Sequence, residues 1–488
     1  MHTATRAAAS RVLIATMLLA GCSDSSSPVQ VDTDALADIL ADSTPDDSQD
    51  ALDDTLEVTE PVAENVLLII ADDLGLDASE CYGATGTIAS TPTIRALCEA
   101  GVVFENAWVA PTCSPTRATM LTGRYPLRHG VGAPSGMGNP GLGADELTIP
   151  QVLDAQTQLG VAHASIGKWH LSTGMNSASA PNDFGWGHFS GIIGGVVPDF
   201  FAWTKTVDGV EESVTTYATT ELVDDAIAWV GTQEGAGKPW VLWLAFNAPH
   251  TPFHVPPAAL HSQALDDAPG ACPAGQEATC YRAAIEAMDT ELGRLLASLS
   301  PETLARTHII YLGDNGTPAQ VAQTPVERMR AKGSLYQGGV RVPFVVAGPA
   351  VRSGGRSVEA MIDASDVFAT VLELAGMASA EVAEVGSDGS PVDAVSLVPY
   401  LQDPAQPPLR EWVVTELYSS TAGNDKAGRA IRNDRFKLIL FMDGREALYD
   451  LDGDPWEITE LLAGGLDADG QAAYDDLNAV LEGLLDTP

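Results

Sequence analysis

Residues 65–73 read NVLLIIADD: six apolar side chains in a row, closed by two aspartates. An unbroken apolar run of this length predicts a strand buried on both faces, and only a sheet covered by helices on both sides provides that environment. The pattern recurs in VAHASIGKWH (161–170), PWVLWLAFNAPH (239–250) and THIIYLGDNG (307–316). Between these runs lie helical stretches, TIPQVLDAQTQLG (148–160), ELVDDAIAWVG (221–231) and YRAAIEAMDTELGRLLASL (281–299). The rhythm predicts an α/β fold, a largely parallel central sheet with helices on both faces, over residues 65–404. Beyond about residue 405 the reading changes to short strands, EWVVTELY (411–418), RAIRNDRFKLILF (429–441) and EALYDL (446–451), then a helix near AAYDDLNAVLEGLL (472–485). Residues 405–488 are therefore expected to form a smaller antiparallel α+β subdomain.

In open α/β sheets ligands bind beyond the carboxyl ends of the strands. The four apolar runs end in Asp72 and Asp73, Lys168 and His170, His250, and Asp314 and Asn315. Singly, each has a structural reading as a helix cap, a turn or a solvated loop residue. Jointly, at one edge of one sheet, they make a site for an anion and a metal. Asp72, Asp73, Asp314 and the amide oxygen of Asn315 are hard oxygen donors. They suit Ca²⁺, with Mg²⁺ as the alternative, and not a thiolate-seeking metal.

The chain has 488 residues and a formal net charge of −41, from 66 acidic and 25 basic residues, which excludes a basic nucleic-acid-binding surface. Arg6 and Arg11 precede the apolar run VLIATMLLAGC (12–22), too short to stay in a bilayer and ending on small residues like an export signal. Its ending, LAGC, resembles the lipobox of bacterial lipoproteins. That implies a signal peptide over residues 1–21, lipidation of Cys22, and an exported protein held to a membrane by its lipid alone. Residues 23–64 hold 13 acidic and no basic residues, and read as a disordered acidic tether. Six cysteines are present. With Cys22 given to lipid and Cys113 set apart, four remain and allow three connectivities. Cys272 and Cys280, flanking a short loop, are the best candidate pair, and Cys81 with Cys98 the natural second.

Cys113 lies in VAPTCSPTRATMLTGRYPLRHG (109–130), with Pro115 two residues and Arg117 four residues after it. The segment CSPTR resembles the CxPxR signature of the type I sulfatases. Further segments of that family's pattern follow in chain order: ADD (71–73), GKWH (167–170), APHTPF (248–253), GDNG (313–316), KGSLYQGGVRVP (332–343) and LYDLDGDPWE (448–457). The resemblance implies the alkaline phosphatase-like fold and oxidation of Cys113 to formylglycine by a formylglycine-generating enzyme. It also implies hydrolysis of the sulfate ester of a small molecule or glycan. One hydroxyl of the hydrated aldehyde attacks sulfur, and deprotonation of the other expels sulfate.

Carried over by position, the metal ligands are Asp72, Asp73, Asp314, Asn315 and the modified Cys113. Lys168, Lys332 and His250 contact sulfate, with His250 able to protonate the leaving alcohol; His170 is the base that frees the enzyme of sulfate; Arg117 steadies the hydrate or its ligands. The chain departs from the pattern at Phe368, Ala369 and Thr370, where many relatives show FPT, and at Glu460 and Leu461. Two other readings use the same residues: a phosphodiesterase or phosphonate monoester hydrolase, and a surface lipoprotein that binds without catalysis. A cysteine in place of Ser or Thr at position 113, and the retention of every ligand, favour the sulfatase. The aromatics Trp186, Phe200, Phe201 and Trp203 stand open between a platform for a sugar or aryl ring and core packing.

Lipidation is expected to be the whole of the membrane attachment. Cys22→Ser should move the protein from the membrane to the soluble fraction with turnover unchanged, and retention in the membrane fraction would reject this reading of LAGC.

Overall fold

The computed structural model describes residues 63–486 apart from 137, 173–176, 266–267, 387–390 and 419–424. The export segment, Cys22 and nearly all of the expected tether lie outside the described residues. The strands are β1 (Asn65–Ala71), β2 (Val102–Trp108), β3 (Ala162–Lys168), β4 (His188–Ile192), β5 (Trp203–Val207), β6 (Val210–Val214), β7 (Trp240–Ala245), β8 (His254–Val255), β9 (Gly270–Ala271), β10 (Thr307–Gly313), β11 (Phe344–Ala347), β12 (Arg356–Asp363), β13 (Val413–Leu417), β14 (Gly428–Arg432), β15 (Phe436–Phe441) and β16 (Glu446–Asp450).

Ten of them form one sheet in the order β12, β2, β11, β10, β1, β7, β3, β4, β5, β6. Only β11 and β5 run against the others. The four apolar runs of the sequence are neighbours at its centre, all parallel: β10 beside β1, β1 beside β7, β7 beside β3. Their carboxyl ends therefore lie side by side, and the polar residues that close each run arrive at one edge.

Alternation along β1 divides the interior in two. Leu67, Ile69 and Ala71 face a core shared with the helices Pro92–Ala100, Ala218–Gly235 and Glu277–Ser298. Val66, Leu68 and Ile70 face a second core shared with the helices Cys113–Thr122, Ile149–Ala155 and Asp366–Leu374. All six side chains are at most 3% exposed, and burial of each valine, leucine or isoleucine among them is worth about 1.5–3 kcal/mol. This two-sided burial is why the run carries no polar residue until it leaves the sheet.

The second sheet runs β13, β14, β15, β16, antiparallel throughout. One face packs Val413, Ala430 and Ile439 on Trp108, Leu335 and Val340 of the larger unit. The other packs Ile431, Leu438 and Leu448 under Leu477 and Leu481 of the final helix, Ala468–Asp486. The run RAIRNDRFKLILF, read above as one strand, is two strands joined by a turn at Asn433, whose Oδ1 accepts the N–H groups of Arg435 and Phe436 at 3.0 and 2.6 Å. Disulfides join Cys81 to Cys98 and Cys272 to Cys280, and Cys113 is the free cysteine among the described residues. No helix among these residues is long and apolar enough to cross a membrane.

Gly167 sits in β3 immediately before Lys168 with φ of +116°, and a Cβ there would stand 1.9 Å from the carbonyl oxygen of Ala245 in β7. The obstacle is backbone and cannot rotate away. Gly167→Ala should destabilise the protein by at least about 2 kcal/mol, read as a lower midpoint of urea unfolding.

Candidate active site

Asp72 and Asp73 follow β1, Asp314 and Asn315 follow β10, Lys168 ends β3 with His170 two residues on, and His250 follows β7. Asp72, Asp73, Asp314, Asn315, Lys168 and Arg117 are each at most 1% exposed. Three buried carboxylates so close together would repel and protonate unless matched by cations. Three cations match them. Lys168 Nζ donates to Asp72 Oδ2 at 2.6 Å. Arg117 donates through Nε and Nη2 to Asp314 Oδ2 at 3.1 and 2.8 Å, and through Nη1 to the Lys168 carbonyl at 2.7 Å. Lys332 Nζ donates to Asp73 Oδ1.

The backbone joins the knot. The Asp73 N–H donates to Asp314 Oδ1 at 3.1 Å, and Asn315 Nδ2 donates to Asp73 Oδ1 at 2.8 Å. Asp73 and His170 hold positive φ, 72° and 55°, a conformation that costs a non-glycine residue energy and that concentrates at functional sites. Burial pushes the Asp73 carboxyl up, but Lys332, His250 and Lys168 outweigh it and hold the group down to about 2. Burial and the adjacent Asp72 push Asp314 up. Arg117 opposes them, held above its ordinary value against burial by Asp314 and Asp72. Burial, then the charges of Lys168 and Arg117, hold His170 well below the usual imidazole range, so its ring is neutral at pH 7.

Cys113 opens the helix Cys113–Thr122, and its Sγ lies 3.1 Å from His170 Nδ1. The two atoms are within hydrogen-bond range, and the helix presents its positive end to the same space. His250 Nδ1 lies 2.6 Å from the Thr251 carbonyl and so carries a hydrogen, which directs Nε2 to Asp73 Oδ2 at 3.7 Å. Lys332 and His250 keep side-chain exposures of 21% and 12%, whereas Lys168 is fully enclosed behind Asp72. The solvent side of the site is thus lined by Lys332 and His250.

Two buried oxygens, Asp72 Oδ1 and Asn315 Oδ1, have no hydrogen-bond partner. A buried carboxylate or amide oxygen left unsatisfied is costly, and a hard cation between the ends of β1 and β10 would satisfy both. Ligand atoms of Asp72, Asp73 and His250 lie within 4.8 Å of one another. The donor chemistry of the site therefore fits a divalent ion.

Sequence reasoning passed over several residues. Ser114 Oγ donates to the His170 carbonyl at 2.7 Å and accepts the Ser135 N–H at 2.9 Å, which ties the loop carrying His170 to the helix of Cys113. Tyr281 OH donates to the Asp73 carbonyl at 2.7 Å. Asn247, 3% exposed, has neither amide atom paired. Only Asn247 had a signal, as a polar residue at the end of a buried run. The aromatics left open resolve towards the core: Trp186 and Trp203 are 3% and 5% exposed, and Phe200 stacks on His254 at 3.8 Å. Phe201 is half-buried against the same core.

The sequence profile described as Sulfatase matches residues 64–377, and that of N-sulphoglucosamine sulphohydrolase, C-terminal, matches residues 328–482. The chain is 28% identical over 439 residues to steryl-sulfatase of Mus musculus, covering 71% of this chain and 66%, about two thirds, of that protein. It is 27% identical over 462 residues to arylsulfatase A of Homo sapiens, covering 82% and 83%. Among solved structures, Ps i-CgsB in complex with k-i-k-neocarrahexaose superposes with a TM-score of 0.72 at 22% identity, over 87% of this chain and 93% of that one. With a profile match across most of the chain that takes in both the CSPTR helix and the carboxylate knot, the protein belongs to the sulfatase family, on the alkaline phosphatase-like fold.

Proposed function

We propose that this sulfatase cleaves sulfate monoesters of an aryl or carbohydrate alcohol, with Cys113, converted to formylglycine, as its nucleophile. The observation that carries the reading is Cys113 at a helix start, 3.1 Å from the neutral His170, beside three carboxylates balanced by three cations. The thiol sulfur here stands where the hydroxyls of the hydrated aldehyde would be. Asp72, Asp73, Asp314 and Asn315, with residue 113, would hold a divalent ion. All-oxygen donors from the first four favour calcium, with magnesium the alternative. When bound, the ion supplies positive charge that sharpens the nucleophile and neutralises sulfate oxygens.

The side chains divide the remaining work. Lys332 and His250, on the solvent side, meet the sulfate, and Lys168 adds its charge from behind Asp72. His250 has its Nδ1 hydrogen committed to the Thr251 carbonyl, so it would protonate the leaving alcohol with a second ring hydrogen carried on Nε2, beside Asp73 Oδ2. His170 takes the proton of a residue-113 hydroxyl at Nδ1, which frees sulfate. Arg117 holds Asp314 and opposes the burial and the Asp72 charge that push its carboxyl up. Export, anchoring through a lipid on Cys22, and maturation by a formylglycine-generating enzyme complete the proposal.

Protein made alongside that enzyme should carry an aldehyde at residue 113 by peptide mass spectrometry and hydrolyse a chromogenic aryl sulfate. Cys113→Ala should abolish the activity. A fully active free thiol would overturn the mechanism, and a phosphate diester turned over faster than the aryl sulfate would favour the diesterase reading.

Metal and anion contacts separate by substitution. Asp314→Ala should lose the bound ion by elemental analysis and melt at lower temperature, because a ligand of the native state stabilises it by mass action. Lys332→Ala should keep the ion by elemental analysis, while kcat falls by about 10²–10³-fold, as for loss of a transition-state donor, and the melting temperature falls with the loss of the buried partner of Asp73.

A further inference from the structure

The segment LYDLDGDPWE ends in Glu457, which no step above uses. Glu457 is fully buried, with φ of 62°, a conformation its own side chain disfavours and its surroundings must hold. Its carboxylate has two partners. Oε1 lies 2.5 Å from Lys437 Nζ of β15, itself fully buried and 4.7 Å over the ring of Trp108. Oε2 accepts the Gln337 N–H at 2.5 Å. Its main-chain carbonyl accepts from Arg330 Nη1. Both the beginning and the end of the segment Arg330–Gln337 are thus tied to one residue of the C-terminal sheet's flank.

Lys332 lies inside that segment. On the inner side, the segment bonds to chain neighbours of the site, Lys332 N–H to the Thr317 carbonyl at 3.0 Å and Gly333 N–H to the Pro111 carbonyl at 2.9 Å, and just beyond its end the Gly339 carbonyl accepts the Gly316 N–H at 3.0 Å. A Cβ on Gly316 would stand 1.9 Å from the Gly338 carbonyl, so the backbones touch with no room for adjustment. Trp108 Nε1 donates to Gln337 Oε1 at 3.1 Å, which closes a ring of contacts through Lys437 back to Glu457.

We infer that Glu457 is a positioning residue for the reaction: it clamps both ends of Arg330–Gln337 and thereby fixes the Lys332 ammonium at the anion site. The inference rests on the role proposed above for Lys332. It gives the smaller sheet a part in turnover beyond the apolar burial it supplies.

The test is a double-mutant cycle on the full-length, matured enzyme with the aryl sulfate as substrate. Removing the Glu457 carboxylate alone would strand a buried lysine, so the cycle uses Lys437→Met as its background. There, Glu457→Ala should lower kcat/KM by about ten- to a hundredfold, the scale of an ångström of misplacement, and Glu457→Gln, which keeps an oxygen for the Gln337 N–H, should restore most of it. In a Lys332→Ala enzyme the same Glu457→Ala change should add no further loss. An equal loss with and without Lys332 would overturn the inference, since damage to the fold at large does not depend on Lys332. Should Glu457→Ala fail to fold, Arg330→Ala runs the same cycle from the other end of the segment, at a side chain 22% exposed. Hydrogen exchange reads the clamp without catalysis: amides of Lys332, Gly333 and Gln337 should exchange faster in Glu457→Ala, and unchanged exchange would overturn it. Faster exchange alongside a catalytically silent Lys332→Ala would instead overturn the role of Lys332, and with it the catalytic half of this inference.

Discussion

Three carboxylates with almost no contact with water, Asp72, Asp73 and Asp314, set the terms for the rest of the molecule. Unpaired, any one of them would cost several kcal/mol to bury, and the three together would repel one another through a medium that screens poorly. Arg117, Lys168 and Lys332 cancel them one for one. A divalent ion added to that neutral knot gives the site an excess of two positive charges, suited to a singly charged ester and to a doubly charged product. Each cation must arrive from a different element: Arg117 from a helix, Lys168 from β3, Lys332 from a long connection. The order of strands in the sheet is what allows all three to arrive.

The central fold was legible because burial on both faces leaves a plain trace. From Val66 to Ala71, β1 carries no polar side chain, so Asp72 and Asp73 mark the edge where ligands bind. The polar ends of the other runs follow the same pattern, and the parallel order of β10, β1, β7 and β3 makes neighbours of Asp72, Asp73, Lys168, Asp314 and Asn315. The same logic misread residues 429–441 as one strand, because an Asn-Asp-Arg turn interrupts the run without glycine or proline. The turn is an Asx type, in which Asn433 supplies the acceptor, and its signal was present in the residue type. Trp186, Phe200 and Trp203 were not decidable from sequence, since a large ring serves a core and a sugar platform equally well until its neighbours are known.

Other parts of the site had no local signal. Ser114 and Tyr281 act through a single hydroxyl on a backbone carbonyl, a use any serine or tyrosine can have. Glu457 is separated by more than a hundred residues from the segment it holds, and nothing in LYDLDGDPWE names Gln337 or Arg330 as partners. Such residues decide where charged groups stand, and only tertiary structure assigns them.

The acidity of the chain and the anionic character of a sulfate ester oppose each other only at a distance. At physiological ionic strength exposed charges fade beyond about 8 Å, so the carboxylates of the surface act weakly on a substrate already in the site. The buried cations are screened far less, and Arg117 and Lys332 are close enough to interact electrostatically with residue 113. Lys332 is therefore the point of greatest sensitivity: it is the lysine of the knot with part of its side chain in contact with solvent, and its charge holds Asp73 and, in the role proposed above, also meets the anion. A side chain with four rotatable bonds can do both only if its backbone is fixed. That requirement accounts for the crowded glycine contacts on one side of its segment and for the buried Glu457 on the other.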